Sequence, residues 1–98
     1  MKFIQVKFKL NKTREEYEEA AVQSAQQMAE FPGLVWKIWA YDDEENEAMG
    51  IYFYRDDRMA QMVLENIDQK TWPDYTYDLE KRMWDVQEEL CKITRVPL

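Results

Sequence analysis

The sequence predicts an α+β protein whose main elements run β-α-β-β-α-β, and three observations predict it. Period-two and helical apolar patterns succeed one another along the chain in that order. Pro32-Gly33 ends the first helical stretch directly ahead of an aromatic strand, so helix passes to strand without a long linker. Both strands between Leu34 and Tyr54 carry large apolar side chains on each of their two faces, whereas a strand wet on one side alternates apolar with polar. Both sides of the sheet therefore need a cover.

Each element has its own signature. Lys2 to Leu10 sets Ile4, Val6, Phe8 and Leu10 on one face against Gln5, Lys7 and Lys9 on the other, the pattern of a strand. Thr13 with Glu16 three residues later is a capping box, and Glu15, Glu18 and Glu19 stand where the dipole of a starting helix favours negative charge. In that helix Tyr17, Ala21, Ser24, Ala25 and Met28 share one side. The second strand covers Leu34 to Tyr41, an acidic turn Asp42 to Asn46 follows, and Ala48 to Tyr54 is the third strand. Gly50 in its interior marks either a bulge or the close approach of another group.

Asp56 or Asp57 caps a second helix with Met59, Met62, Val63 and Ile67 as its inward stripe. An irregular stretch from Asp68 to Tyr77 holds Trp72-Pro73, where proline keeps its predecessor extended. The last strand is expected at Asp78 to Val86 and a short terminal helix at Gln87 to Ile93. This order is that of a ferredoxin-like unit, a four-stranded antiparallel sheet with both helices on one face. The other face stays bare in one copy, and pairing two sheets face to face in a homodimer would cover it.

With 98 residues the chain makes one domain, residues 1–98, uninterrupted by repeats, low-complexity tracts or linkers. A domain of this size hides only about 60–65% of the surface its unfolded chain exposes. Its 14 aromatic residues exceed what so thin a core uses, which points to self-association or a ligand cavity. A net charge of -7, with the basic residues scattered, argues against nucleic acid, whose phosphates require a basic patch. No apolar run approaches the roughly 18 residues of a membrane helix, and MKFIQVKFKLNK has no apolar core of a secretion signal. A cytoplasmic setting, with no membrane partner, is the expectation. Cys91 is the single cysteine and no histidine is present to activate it, so it reads as a packed thiol.

The runs PGLVWKIW and NEAMGIYFY, the acidic turn into a helix ending VLE, and MWDVQEELCKI resemble the YdhR-type mono-oxygenase family of the dimeric α+β barrel superfamily, which includes the antibiotic biosynthesis mono-oxygenases. The resemblance spans most of the chain and is strongest from Pro32 to Glu65. It implies two ferredoxin-like protomers joined through their sheets, with a pocket in each between sheet and helices. It also implies oxidation of an electron-rich aromatic or polyphenolic small molecule by molecular oxygen without a cofactor. The chain departs from the family at Met49-Gly50, where relatives tend to carry Gly-Gly, and at Ile67, where they commonly have a histidine. With no histidine at all, haem loses its usual axial ligand and is disfavoured as a substrate.

Cofactor-free oxygenation requires that a phenol lose a proton to become an electron-donating anion, in a site that stabilises the anion and excludes water. Candidate groups follow from that requirement. Phe8, Trp36 and Trp39 would wall a flat substrate, Tyr52 or Tyr41 would donate to a phenolate, Asn46 or Glu47 at the mouth would orient or accept a proton, and Lys37 would stabilise negative charge. Each has a plainer reading. Trp36 and Trp39 differ by an odd number and so face opposite sides of a regular strand; buried tyrosines satisfy local acceptors; Glu47 suits a solvated turn. The methionines at helical spacing fill core. Glu15, Glu16, Glu18 and Glu19 lack a converging third ligand, so no metal site is expected. Two other functions fit the same fold: a non-catalytic small-molecule binder, favoured by loss of the family histidine, and a polyketide cyclase or isomerase that positions an acid or base without using oxygen.

Overall fold

The computed structural model describes residues 1–98, with β1 (Lys2–Leu10), α1 (Arg14–Ala29), β2 (Leu34–Asp42), β3 (Glu47–Tyr54), α2 (Asp57–Asn66), β4 (Thr76–Asp85) and α3 (Glu88–Ile93). The strands make one antiparallel sheet in the order β2-β3-β1-β4. Strands β1 and β2 both run antiparallel to β3, which lies between them, so β1-α1-β2 is a split crossover of the ferredoxin-like kind.

The core follows from the alternation in β1. Ile4, Val6, Phe8 and Leu10 are buried on the helix side, joined by Ala48, Tyr52 and Tyr54 of β3, Ala60 of α2 and Ile67. Burying each large aliphatic side chain contributes about 1.5–3 kcal/mol. On the opposite face Lys7 and Lys9 reach Glu80 and Glu45 as surface ion pairs, which add little.

The two helices sit on the sheet differently. Thr13 and Glu16 form the capping box, but α1 has no buried residue. Tyr17 and Met28 at its two ends pack against the core, the positions between them are the small Ala21, Ser24 and Ala25, and its backbone approaches the sheet chiefly along β2. Helix α2 packs down through Ala60, starts at Asp56, whose carboxylate accepts from the Arg58 and Met59 amides, and ends under Lys81, whose Nζ donates to the Leu64 carbonyl at 2.8 Å. A gap is left between α1 and the sheet beside Ala21 and Ser24, between the larger Tyr17 and Met28 side chains.

Three local expectations are corrected. Strand β4 begins at Thr76, two residues early, because a backbone break at Asp78 (φ 53°) lets Thr76 and Tyr77 pair with Leu10 and Lys9 before the regular ladder resumes. Met62 is 62% exposed at the rim of α2, its place in the inward stripe taken by Ala60. Gly50 lies in regular register with Val6 and Trp39, so close approach, not a bulge, explains it.

The face of the sheet away from the helices carries an aromatic row across all four strands. Trp36 (β2) stacks on Phe53 (β3) at 3.8 Å between ring centroids, Phe53 on Phe3 (β1) at 5.3 Å, and Phe3 on Trp84 (β4) at 6.3 Å. Ile38 is 46% exposed beside it, and the Trp36 Nε1 donates to the Pro97 carbonyl of the tail at 3.1 Å. No helix is long and apolar enough to cross a membrane.

Candidate functional site

The gap under α1 is a two-lobed cavity. The larger lobe, about 590 Å³, lies between the two helices over Leu34, Tyr52 and Tyr54, with Met28, Met59 and Ile67 on its walls. The smaller, about 240 Å³, is walled by Phe8, Tyr17, Trp39, Trp72 and Tyr75. Ser24, Met28, Tyr52 and Trp72 border both lobes, so the two share a boundary. Such volumes suit a small organic ligand.

Strand parity decides which candidates meet there. In β2, Lys37 pairs with Tyr52 and Trp39 with Gly50, so both point toward the helices, as does Tyr41. Phe8 of β1 joins them, its ring edge-on to Tyr17 at 6.1 Å and to Trp72 at 6.0 Å. Phe8, Lys37, Trp39 and Tyr52 thus gather around one lobe. Tyr41 and Trp39 border a neighbouring hollow beside Arg14 and Glu18, with the Tyr41 ring stacked near Tyr17.

The other three candidates lie elsewhere. Trp36 belongs to the aromatic row on the opposite face. Asn46 sits in the β2-β3 turn at φ 49°, its Nδ2 donating to the Leu10 and Lys12 carbonyls at 2.8 and 3.0 Å and its Oδ1 accepting from the Tyr41 hydroxyl. Its polar atoms are occupied in closing the turn, a use that a turn asparagine offers as readily as catalysis. Glu47 pairs across the ladder with Lys9, on the face away from the cavity.

Trp72, Tyr75 and Tyr17 are wall residues that the sequence did not single out. The stretch after α2 brings the first two in. Gln69 fixes it, its Nε2 donating to the Thr76 carbonyl at 3.0 Å and its Oε1 accepting from the Leu79 amide at 3.0 Å, while the Thr76 hydroxyl donates to the Pro73 carbonyl. Three aromatics within Trp72 to Tyr77 were the available signal, because a connecting loop rarely spends so many large rings on solvent.

The electrostatics of the cavity turn on one side chain. Lys37 is the sole charged residue on either lobe. Its Nζ sits 3.3 Å from the centroid of the Trp39 ring and 4.2 Å from that of Tyr52, and its polar contact is the Met28 sulfur at 3.6 Å, a weak acceptor. Burial lowers its pKa from 10.5 to about 7. Burial acts the opposite way on the phenols: Tyr17 is pushed up to about 12, and Tyr52 is raised as well, in both with help from neighbouring tyrosines. The tyrosines therefore remain neutral donors at physiological pH, and Lys37 is the group poised to exchange a proton there.

The acidic first turn of α1 is accounted for locally. Glu16 closes the capping box, with its pKa lowered by hydrogen bonds from Thr13, and Glu18 pairs with Arg14, which also grips Asp43 at 3.0 Å. No three cysteine or carboxylate side chains converge in a geometry that would hold a metal ion.

A four-stranded antiparallel ferredoxin-like sheet with its helices is the protomer fold that the motifs around Pro32 to Glu65 implied. No curated protein matches the chain. The family model described as Putative mono-oxygenase ydhR matches residues 3–97, from the first strand to the C-terminal tail, and the chain belongs to that family.

Proposed function

We propose that the protein is a homodimeric mono-oxygenase that needs no cofactor and oxidises an aromatic or polyphenolic small molecule with molecular oxygen. The observation that carries this reading is the cavity under α1: flat walls from Trp39, Trp72 and Phe8, a neutral phenol donor in Tyr52, and one amine at Lys37. Those are the parts that oxidation through a phenolate requires, since the anion must be generated, held and kept from water before it passes an electron to oxygen. Ile67 is buried against the larger lobe, so that region contributes shape and desolvation, and acid-base work falls to Lys37 and Tyr52.

The homodimer is supported by the opposite face. Four stacked aromatics with Ile38 and Ile51 form an apolar strip on a sheet whose other side is already covered by its own helices. A second copy supplies the self-complementary surface such a strip needs. A cytoplasmic setting accords with this assignment.

Incubation of metal-free protein with a dihydroxyanthrone or a hydroquinone, with oxygen consumption followed at an electrode, tests the activity. Uptake well above spontaneous oxidation, reduced at least about tenfold in Trp39→Ala, is expected. Tight binding without uptake would assign the protein as a binder, and product formed under argon would assign it as a cyclase or isomerase.

A further inference from the structure

The placement of Lys37 asks for an explanation that packing does not give. A lysine on an edge strand can extend to water and keep its charge hydrated. Here the stem is folded inward, the amine lies on two aromatic rings, and no carboxylate faces it from any element around the lobe. The titratable groups that do face it are phenols: Tyr17 from α1, Tyr52 from β3 and Tyr75 from the loop before β4. Burial raises the pKa of Tyr17 and of Tyr52, so neither offers a counter-charge. An unpaired ammonium in apolar surroundings is costly, so burial draws Lys37 toward the free amine and leaves room for an anion beside the ammonium.

Gly50 is the second, independent observation. A Cβ there would stand 2.8 Å from Lys37 Cε and 3.0 Å from Tyr52 Cε1. Glycine inside a strand costs roughly 0.5–1 kcal/mol relative to alanine. At this position it clears the seat that holds the lysine stem against Tyr52. The strand thus gives up intrinsic stability at the one place where doing so turns Lys37 into the cavity.

We propose that Lys37 is the proton acceptor of this site: its amine takes the hydroxyl proton of a flat phenol or enol lying against Trp39, and the ammonium so formed holds the resulting oxyanion. The inference rests on the reading of the cavity as an aromatic-ligand site and adds to it the selecting group. The substrate O–H bond breaks, an N–H bond forms on Nζ, and the proton stays in the site, so the cavity gains an ion pair and no net charge. A carboxylate or phosphate would arrive already ionised and would need several donors, whereas a phenolate is a single-oxygen anion on a flat body. It fits one ammonium between aromatic walls. The cavity consequently selects acidic phenols and enols over equally flat ethers and hydrocarbons.

The test uses the full chain with 3-nitrophenol, whose ionised form has its own visible absorption band, and 3-nitroanisole as the control without a transferable proton. Measurements are made about one unit below the probe's own pKa, where free probe is mostly un-ionised. The wild type is expected to bind the nitrophenol with the phenolate band and the anisole at least about tenfold more weakly. Lys37→Met, which exchanges an unpaired amine for an apolar chain of similar length, is expected to lose the band while retaining the wild-type circular dichroism. Lys37→Arg keeps a cation that cannot act as a base; calorimetry in two buffers of different ionisation heat is expected to show a proton released to solvent on binding, against near-zero exchange for the wild type. Absence of the band in the wild type, whether the probe binds un-ionised or fails to bind, overturns the proposal, as does an undiminished band in Lys37→Met. Oxygen uptake, followed with the electron-rich dihydroxyanthrone and hydroquinone, is a separate readout: an ionised nitrophenol with no uptake from those two substrates removes the mono-oxygenase reading and leaves Lys37 as a phenol-binding base.

Discussion

Lys37 and Gly50 show how one residue governs the next. The pKa of Lys37 falls from 10.5 to about 7 on folding, through burial. Between those values the unfolded chain binds a proton that the native chain does not, so native stability rises with pH across the window and the penalty is constant below about 7. At pH 7 to 8, Lys37→Met is expected to be more stable than wild type by about 1–3 kcal/mol, the gap closing as the pH approaches 10.5. Urea midpoints for both proteins over a pH series check this; a gap that does not narrow with rising pH would mean the lysine is hydrated after all. Gly50→Ala is expected to change stability by less than about 1 kcal/mol, because gained strand propensity offsets the displaced stem. The same substitution should move the Lys37 pKa back toward its ordinary value, as read by the shift of its side-chain resonances with pH, since the amine is pushed toward water.

Among the elements, the β2-β3 turn and the start of α1 do related work. Arg14 at the first residue of α1 holds Asp43, and Asn46 ties the turn to the carbonyls of Leu10 and Lys12 where β1 leaves the sheet. Asn46→Ala loses these bonds and puts a Cβ residue without a local acceptor at positive φ, so a loss of about 2–3 kcal/mol is expected. Asn46→Gly should recover about 1 kcal/mol of it by relieving the backbone alone, measured as urea midpoints. Thr13→Ala removes the capping-box acceptor and is expected to cost about 1 kcal/mol, or roughly 4–8 °C in Tm. No residue of α1 is fully buried, although Tyr17 and Met28 pack against the core, so the cap adds to a modest packing contribution.

At the scale of the whole molecule the two faces of the sheet differ: one carries the cavity, and the other carries the aromatic row proposed above as the surface of self-association. Ile38→Lys puts a charge on the exposed apolar strip beside the aromatic row without touching the cavity wall. It is expected to convert a dimer into a folded monomer by sedimentation equilibrium. A wild type that is monomeric at all concentrations would remove the dimer and leave the aromatic strip without its cover. Much of this plan was legible in the residues: the alternation in Lys2 to Leu10 gave the inner face of β1, and the odd spacing of Trp36 and Trp39 sent them to opposite sides. Asn46 and Glu47 were harder, because a turn asparagine and a mouth asparagine have the same local sequence. Trp72 and Tyr75 could not be placed on the cavity wall from the sequence, since a loop has no period from which a facing direction can be read.

The sequence by itself determined the order of the elements, the helix caps, the two-faced greasiness of the strands and the lack of any histidine, because period, capping chemistry and composition are local properties. Only the tertiary structure decided that Gly50 makes room for a lysine, that the lysine meets no carboxylate, and that the loop aromatics close the far wall. Those facts depend on which strands become neighbours and how far a helix stands off them, and such distances between residues remote in the chain are settled by packing.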